Sequence, residues 1–384
     1  MVNYNAVIVH YAEIGLKGSN RPYFEKLLVR NIMIALRKTN YEEIKRNYGS
    51  VIIYLKNNAD IKKIKDCLKN IPGISSYSLS VKGNASLKHI KKHALAIAAE
   101  NKKKSFRIDT KRSDKSFKMS SIQLNEKIGS YVVEKTGMKV KLKNPGLTIY
   151  IELIGGEAFL YQEKTQGLGG LPVDSAGKLV SLLSGGIDSP VASFLMMKRG
   201  AHIIFIHFRN ETQSTSKDKI KSLVKILTKY QLSSKLYIVD FKNIQKEIIM
   251  KIPAKQRMII YRRVMLRIAE SILEKEKAEG FVTGDSVAQV ASQTLDNLKV
   301  IYDAAGYPVF APLIGLNKQE IVDIAHKIGT YETSILPYSD CCSFLIAKHP
   351  DTKADLEIIE KMEENLDFEK IMKLAKKNIE RLIL

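Results

Sequence analysis

The stretch Leu182-Leu183-Ser184-Gly185-Gly186-Ile187-Asp188-Ser189-Pro190 decides the fold of the longer half of this chain. Residues 178–183 form an apolar run that reads as a strand, and the two glycines after Ser184 permit a tight turn. Pro190 stands where a helix would begin, its fixed φ suiting a first turn, and 191–198 keep helical spacing until Gly200 stops them. A strand that turns straight into a helix aims backbone N–H groups and a helix N-terminus at its guest, and Ser184 and Ser189 add hydroxyl donors. Such a loop suits a phosphate or pyrophosphate. It lacks the Lys-Ser/Thr ending of a Walker A loop, which disfavours a kinase or P-loop ATPase. Two glycines after a strand are more often an ordinary turn, but the full Ser-Gly-Gly-x-Asp-Ser string outweighs that reading here.

Downstream of this loop, short apolar runs at 201–208, 235–239 and 280–283 alternate with helical stretches, the sign of a doubly wound parallel sheet. Upstream, the glycine-rich linker 166–172 is not a G-x-G-x-x-G fingerprint, because that spacing is absent. Residues 6–81 read in the order β-α-β-α-β with an extra strand near 44–48, which suits a ferredoxin-like α+β unit. Residues 86–161 read as a second α/β unit, with helices at 86–99 and 120–135 and strands at 105–109, 140–142, 147–153 and 158–161. The expected domains are therefore 1–76, 77–170 and 173–384. There is no internal repeat or low-complexity tract.

The charge is uneven. Of 62 Lys and Arg and 40 Asp and Glu, residues 1–170 hold 31 basic and 14 acidic residues, whereas 171–384 hold 31 and 26. Segment 81–145 alone carries 17 basic and 5 acidic residues, among them Lys102, Lys103, Lys104, Lys111 and Arg112. A single lysine run is usually a solvated face, but a balance of +17 over half a chain points to a polyanion. With 45% apolar residues the 384-residue chain is globular rather than disordered or fibrous, and no apolar run approaches the roughly 20 residues of a bilayer span. The amino terminus lacks the pattern of an export signal. Three cysteines, Cys67, Cys341 and Cys342, cannot build a disulfide framework, so a cytoplasmic setting without membrane attachment is expected.

The loop 184–189 resembles the pyrophosphate loop of the ATP pyrophosphatases, which split ATP between its α and β phosphates and pass AMP to a carbonyl oxygen. Further strings narrow the resemblance: His10-Tyr-Ala-Glu-Ile-Gly-Leu-Lys-Gly-Ser-Asn-Arg21, Gly284-Asp-Ser-Val-Ala-Gln-Val-Ala-Ser-Gln293, and Ile328-Gly-Thr-Tyr through Asp340-Cys-Cys342. Together they resemble the tRNA 4-thiouridine synthetases, or tRNA sulfurtransferases, from about residue 6 to 355. The resemblance implies a ferredoxin-like domain, a THUMP RNA-binding domain and an ATP pyrophosphatase domain. It implies nucleotide contacts by Leu182, Leu183, Ser184, Gly185, Gly186, Ser189, His207, Phe208, Arg262, Gly284 and Gln293, with Asp188 holding Mg²⁺ or orienting the reacting phosphate. Duller readings stand beside several of these: Phe208 as core, Arg262 as a surface cation, Gln293 as a helix-face polar residue.

Cys341 and Cys342 lie in a polar, Pro-flanked stretch. Free cysteines are usually buried and inert. Resemblance to the family's sulfur-handling cysteine makes Cys342 the expected reactive thiol and Cys341 its neighbour, with Cys67 structural. The pair is a poor zinc site, and an iron–sulfur cluster would need a third thiolate from Cys67 or another subunit. A homodimer is thereby left open. After 355 no rhodanese domain, present in the family's longer members, is recognised, so sulfur is expected from an external cysteine desulfurase, a carrier or sulfide. The expected activity is ATP-dependent thiolation of the uridine at position 8 of tRNA. An amidating ligase of the same ATP chemistry and a non-catalytic RNA-binding protein are the alternatives.

Overall fold

A computed structural model describes residues 2–47, 49–101, 103–113, 117–210, 214–337 and 347–384. They fall into two compact units, Met1–Pro172 and Val173–Leu384.

The first unit runs β1 (Ala6–His10), α1 (Arg21–Leu36), β2 (Tyr41–Asn47), β3 (Ser50–Leu55), α2 (Ile61–Leu68), β4 (Ser76–Asn84), α3 (Leu87–Glu100), β5 (Ser105–Arg112), α4 (Ser121–Thr136), β6 (Lys139–Val140), β7 (Leu147–Ile154), β8 (Glu157–Tyr161) and β9 (Thr165–Gln166). Its helices start where side chains meet orphan N–H groups: Asp60 caps α2, Ser86 caps α3, and Ser120 with Gln123 forms a capping box on α4. The strand order is β2-β3-β1-β4-β8-β7-β5-β6, with β9 also on β4. β4 is thus shared: Ser76 to Ser80 pair with β1, and Val81 to Asn84 pair with β8. Alternate residues of β1 and β3 go to opposite cores. Val7, Val9, Val51 and Ile53 pack on α1 and α2, whereas Ala6, Ile8, Ile52 and Tyr54 pack on Ile154, Phe159 and Tyr161 of the second half. The 10–21 string has a structural role here. His10 pairs with the buried Glu152 at 2.8 Å, and Arg21 Nε donates to Glu25 at 2.8 Å while the Tyr11 hydroxyl donates to the same carboxylate.

The second unit runs β10 (Lys178–Leu182), α5 (Asp188–Lys198), β11 (His202–Arg209), α6 (Ser214–Gln231), β12 (Lys235–Asp240), α7 (Lys242–Lys251), α8 (Arg257–Glu276), β13 (Phe281–Val282), α9 (Leu295–Asp303), β14 (Val309–Phe310), α10 (Lys318–Ile328), α11 (Tyr331–Ser334), α12 (Leu356–Glu363), α13 (Phe368–Lys377) and β15 (Ile379–Ile383). The sheet order is β14-β13-β10-β11-β12-β15, parallel throughout except for antiparallel β15. This is the doubly wound sheet expected from the alternation of strand and helix. The chain steps outward from β10 through β11 to β12 and then returns to the other side of β10 as β13. A crevice opens at such a reversal, beyond the carboxyl ends of the central strands. The core beneath it is lined by Val180, Ile204, Ile206 and Phe281 of the sheet and by the long helix α8. Arg263 of α8 is fully buried, and its guanidinium meets the Glu363 carboxylate through two bonds of 3.0 and 2.9 Å. Among the described residues no helix is long and apolar enough to cross a membrane.

Candidate nucleotide-binding and catalytic site

The crevice between β10 and β13 holds a cavity of about 450 Å³, within the usual size range of a small-molecule site. Leu182, Leu183, Ser184, Gly186, Asp188, Ser189, His207, Phe208, Arg262, Gly284 and Gln293 all line it. Gly185 sits in the same turn but is not among the lining residues.

The turn is organised by its two serines. Ser184 N–H donates to Ser189 Oγ at 2.9 Å, and Gly186 N–H donates to Ser184 Oγ at 3.2 Å. α5 begins at Asp188, so the positive end of its dipole and its first N–H groups face the turn. Gly284, just after β13, lies against this loop. A Cβ there would come within 2.7 Å of Ser189 N and 3.0 Å of the Asp188 carbonyl carbon, so only glycine permits the approach.

Two aspartates anchor the polar side. Asp188 Oδ1 accepts from Lys318 Nζ at 2.6 Å, and its Oδ2 accepts from Gln289 Nε2 at 2.8 Å. Asp285 is buried beneath the cavity. Its Oδ2 accepts from Arg262 Nη2 and from the Tyr302 hydroxyl, each at 2.6 Å, and its Oδ1 accepts from Gln293 Nε2 at 3.1 Å. Burial alone would raise the Asp285 carboxyl, but the Arg262 guanidinium and these hydrogen bonds hold it below the usual carboxylate range. Burial and the same carboxylate push the Tyr302 phenol up. Arg262 is therefore no free surface cation, and Gln293 precedes α9 within a 3₁₀ turn rather than sitting on a helix face. His207 is 2% exposed and bonds through Nδ1 to the Leu183 carbonyl at 2.8 Å, which ties β11 to the loop. Phe208 is both core and cavity wall, edge-on to Phe241.

Mg²⁺ was expected beside Asp188, yet both of its oxygens are engaged, one by an ammonium group. The carboxylate as placed does not fit a metal ligand unless Lys318 leaves. Among the described residues no group of three His, Cys, Asp or Glu is arranged to hold a metal ion. Cys341 and Cys342 lie outside the described residues, as does Lys102. Cys67 packs against the core of the first unit, and burial pushes its thiol up.

The lysines singled out in the first half do not form one cluster. Lys103 and Lys104 precede β5, whereas Lys111 and Arg112 end it, about 23 Å further along at the rise of an extended strand. Exposed Lys139, Lys141 and Lys143 join the first pair instead, because β6 lies beside the start of β5 and Lys139 N–H donates to the Lys104 carbonyl at 3.1 Å.

The site also contains Gln289, Asp285, Tyr302 and Lys318, to which the sequence alone assigns no role. Gln289 and Asp285 stand within the 284–293 string, so their neighbourhood was signalled although their function was not. Lys318 has no local signal beyond the Asn317 and Glu320 capping box that starts α10.

Comparison with known proteins finds matching families, relatives and a solved structure. Residues 174–368 match the family described as thiamine biosynthesis protein (ThiI), residues 6–78 match the ThiI ferredoxin-like domain, and residues 84–163 match the THUMP domain. A probable tRNA sulfurtransferase of Acetivibrio thermocellus is 42% identical over 386 residues, covering 98% of each chain. Another, from Caldanaerobacter subterraneus, is 39% identical over 371 residues, covering 96% of this chain and 97% of its own. Among solved structures, the crystal structure of a 4-thiouridine synthetase in complex with RNA and with bound ATP superposes with a TM-score of 0.90 at 34% identity, covering 99% of this chain and 100% of that one.

Proposed function

The chain belongs to the ThiI family of tRNA sulfurtransferases, and from that premise we propose that it converts the uridine at position 8 of tRNA to 4-thiouridine at the expense of ATP. The observation that carries this reading is the cavity at the β10 and β13 ends, where a turn rich in N–H and hydroxyl donors meets the Asp188 and Lys318 pair.

The uracil C4 oxygen is a poor leaving group, and AMP makes it a good one. ATP lies with its base against the apolar wall of Leu182, Leu183 and Phe208 beside His207, and with its phosphates over Ser184, Gly185, Gly186 and Ser189. Arg262, Gly284 and Gln293 close the other side. The C4 oxygen attacks the α phosphorus, pyrophosphate leaves, and the N3 proton passes to solvent. Lys318, drawn from Asp188 toward the phosphates, offsets the charge that develops there. Asp188 retains Gln289 and orients the loop.

The terminal sulfur of a Cys342 persulfide then attacks C4 and AMP leaves, giving a C4–S–S–Cys342 linkage. Attack on the Cys342 sulfur by a second thiol, Cys341 or an external one, releases 4-thiouridine and leaves a disulfide that an external thiol reduces. A cysteine desulfurase is the persulfide source. With sulfide as donor, HS⁻ attacks C4 directly and N3 regains a proton. The basic first unit holds the tRNA through phosphate and shape contacts.

The test is mass spectrometry of tRNA nucleosides after incubation with enzyme, ATP and either sulfide or a desulfurase with cysteine. We expect 4-thiouridine at position 8, and its absence with both donors overturns the reading. Cys342→Ser should abolish thiolation from the desulfurase yet retain tRNA-dependent pyrophosphate release, because an alcohol cannot carry a persulfide. Cys341→Ser should do less harm, and Cys67→Ser should be nearly silent. Wild-type thiolation by the Cys342 variant with both donors would make that cysteine structural.

A further inference from the structure

We infer that the side-chain carbonyl of Gln289 receives the N3–H of the target uracil and so selects uridine for adenylation. The inference rests on the reaction proposed above and deepens it. A carboxylate accepts hydrogen bonds and cannot donate them. Because Gln289 Nε2 donates to Asp188 Oδ2 at 2.8 Å, the amide has one orientation, with its NH₂ toward Asp188 and its oxygen turned away. That oxygen, Oε1, is buried and has no hydrogen-bond partner among the described residues, while the side chain lines the nucleotide cavity. A buried acceptor left unmet is costly, which makes it a place for a ligand's donor.

The backbone holds it there at a cost of its own. Ala288, the preceding residue, has φ 60, in the left-handed region that non-glycine residues rarely adopt, and its N–H donates to the Gln293 carbonyl at 2.9 Å. Strain of this kind is kept where a side chain must be aimed. Val287 and Val290 flank Gln289 and are 39% and 51% exposed, Val290 also lining the cavity. They offer the flat face of a base an apolar rest.

The chemistry of the occupant follows from position. Gln289 stands beside Asp188, at the start of α5 and next to the phosphate-binding turn. Triphosphate oxygens are acceptors and cannot satisfy Oε1. ATP's own donors are on its adenine and ribose, which the placement above sets away from the phosphate-binding turn. The donor therefore comes from the second substrate, whose reacting oxygen has to approach the same end of the cavity. Uracil carries N3–H adjacent to its C4 oxygen. A bond from N3–H to Oε1 brings the C4 oxygen toward the phosphates and increases its electron density. Cytosine presents a lone pair at N3, so two acceptors would face each other.

Gln289→Met keeps length and packing but removes the acceptor, together with the Nε2 donor to Asp188. The measurements are ATP affinity by calorimetry and kcat/KM of tRNA-dependent pyrophosphate release. We expect ATP affinity within about twofold of wild type and a loss of roughly 10- to 100-fold in kcat/KM, the scale of one unmet hydrogen bond. Gln289→Glu is the second variant. Ionised, it repels Asp188; protonated, it donates to Asp188 and again presents a carbonyl. Its kcat/KM relative to wild type should therefore climb as pH falls from about 8 to 5.5, with the neighbouring carboxylate favouring protonation. Wild-type kcat/KM in the Met variant, or a flat ratio in the Glu variant, overturns the inference. Loss of ATP binding in the Met variant also overturns it, by assigning Oε1 to the nucleotide. Failure of the wild-type enzyme to release pyrophosphate with tRNA is a different result, which removes the parent reading and this one with it.

Discussion

Lys318 Nζ lies 2.6 Å from Asp188 Oδ1, although 130 residues separate the two in the chain. Both stand at helix starts, Asp188 at that of α5 and Lys318 at that of α10, and the two helices pack together. The N-terminus of α5 and an ammonium group carried by α10 thus meet at one carboxylate. Incoming phosphates offer Lys318 an alternative anion. Asp188→Ala and Lys318→Ala should each lower tRNA-dependent pyrophosphate release by about 100-fold or more, the usual loss for one transition-state electrostatic group. The double variant should cost little beyond the worse single one, since the pair acts as a unit. tRNA affinity should be nearly unchanged in all three. Full additivity, measured by a double-variant cycle, would show that the two act separately.

Gly284→Ala tests the close approach of the two loops. The added Cβ meets backbone atoms of Ser189 and Asp188, which cannot move aside as a flexible side chain could. Overpacking of this kind costs about 1–3 kcal/mol, so the midpoint of thermal unfolding should fall and ATP affinity should weaken with it. Unchanged calorimetric ATP binding would show that the loop can shift freely.

The Asp285 network fixes the sign of a pH effect. Its folded carboxyl lies below its ordinary value of 3.8. Between the depressed folded value and 3.8, the unfolded chain binds more protons, so stability rises with pH in that window. The contribution is complete above about pH 4 to 5 and is lost as pH falls through the folded value. Tyr302→Phe removes one bond to this carboxylate and should move the loss to higher pH, shifting the acid limb of a denaturant stability profile upward. An acid limb identical to wild type would show that Tyr302 does not support the ionised form.

Salt dependence separates the two ends of β5. Replacing Lys103, Lys104, Lys139, Lys141 and Lys143 by Gln in the full chain should flatten the slope of log K against log salt by about 0.7 to 0.9 for each phosphate that is no longer neutralised. Replacing Lys111 and Arg112 should have a smaller effect, because two charges are removed there instead of five. Equal slopes for both variants and the wild type would leave these side chains as a solvated face.

Much of the fold is legible in the sequence because its signals are local. An apolar run, a Gly-Gly turn and Pro190 suffice to place β10, the loop and α5, since turn geometry and a helix start depend on a few adjacent residues. The extra strand expected near 44–48 is β2. The strand expected at 140–142 is reduced to Lys139–Val140, where only two residue pairs meet the edge of β5. β15 carries no local signal of its own, because Ile379–Ile383 becomes a strand only by pairing with β12.

The sequence by itself determined a doubly wound sheet with a phosphate-binding turn and two smaller α/β halves upstream of it, for these follow from periodicity and turn chemistry within windows of about ten residues. Tertiary structure decided how β4 joins those halves and which lysines share an end of β5. It also decided that Lys318 reaches Asp188, and that Asp188 and Asp285 each orient a glutamine at the cavity. Most of those relationships join residues far apart in the chain. They are set by strand register and helix packing, which no local window contains.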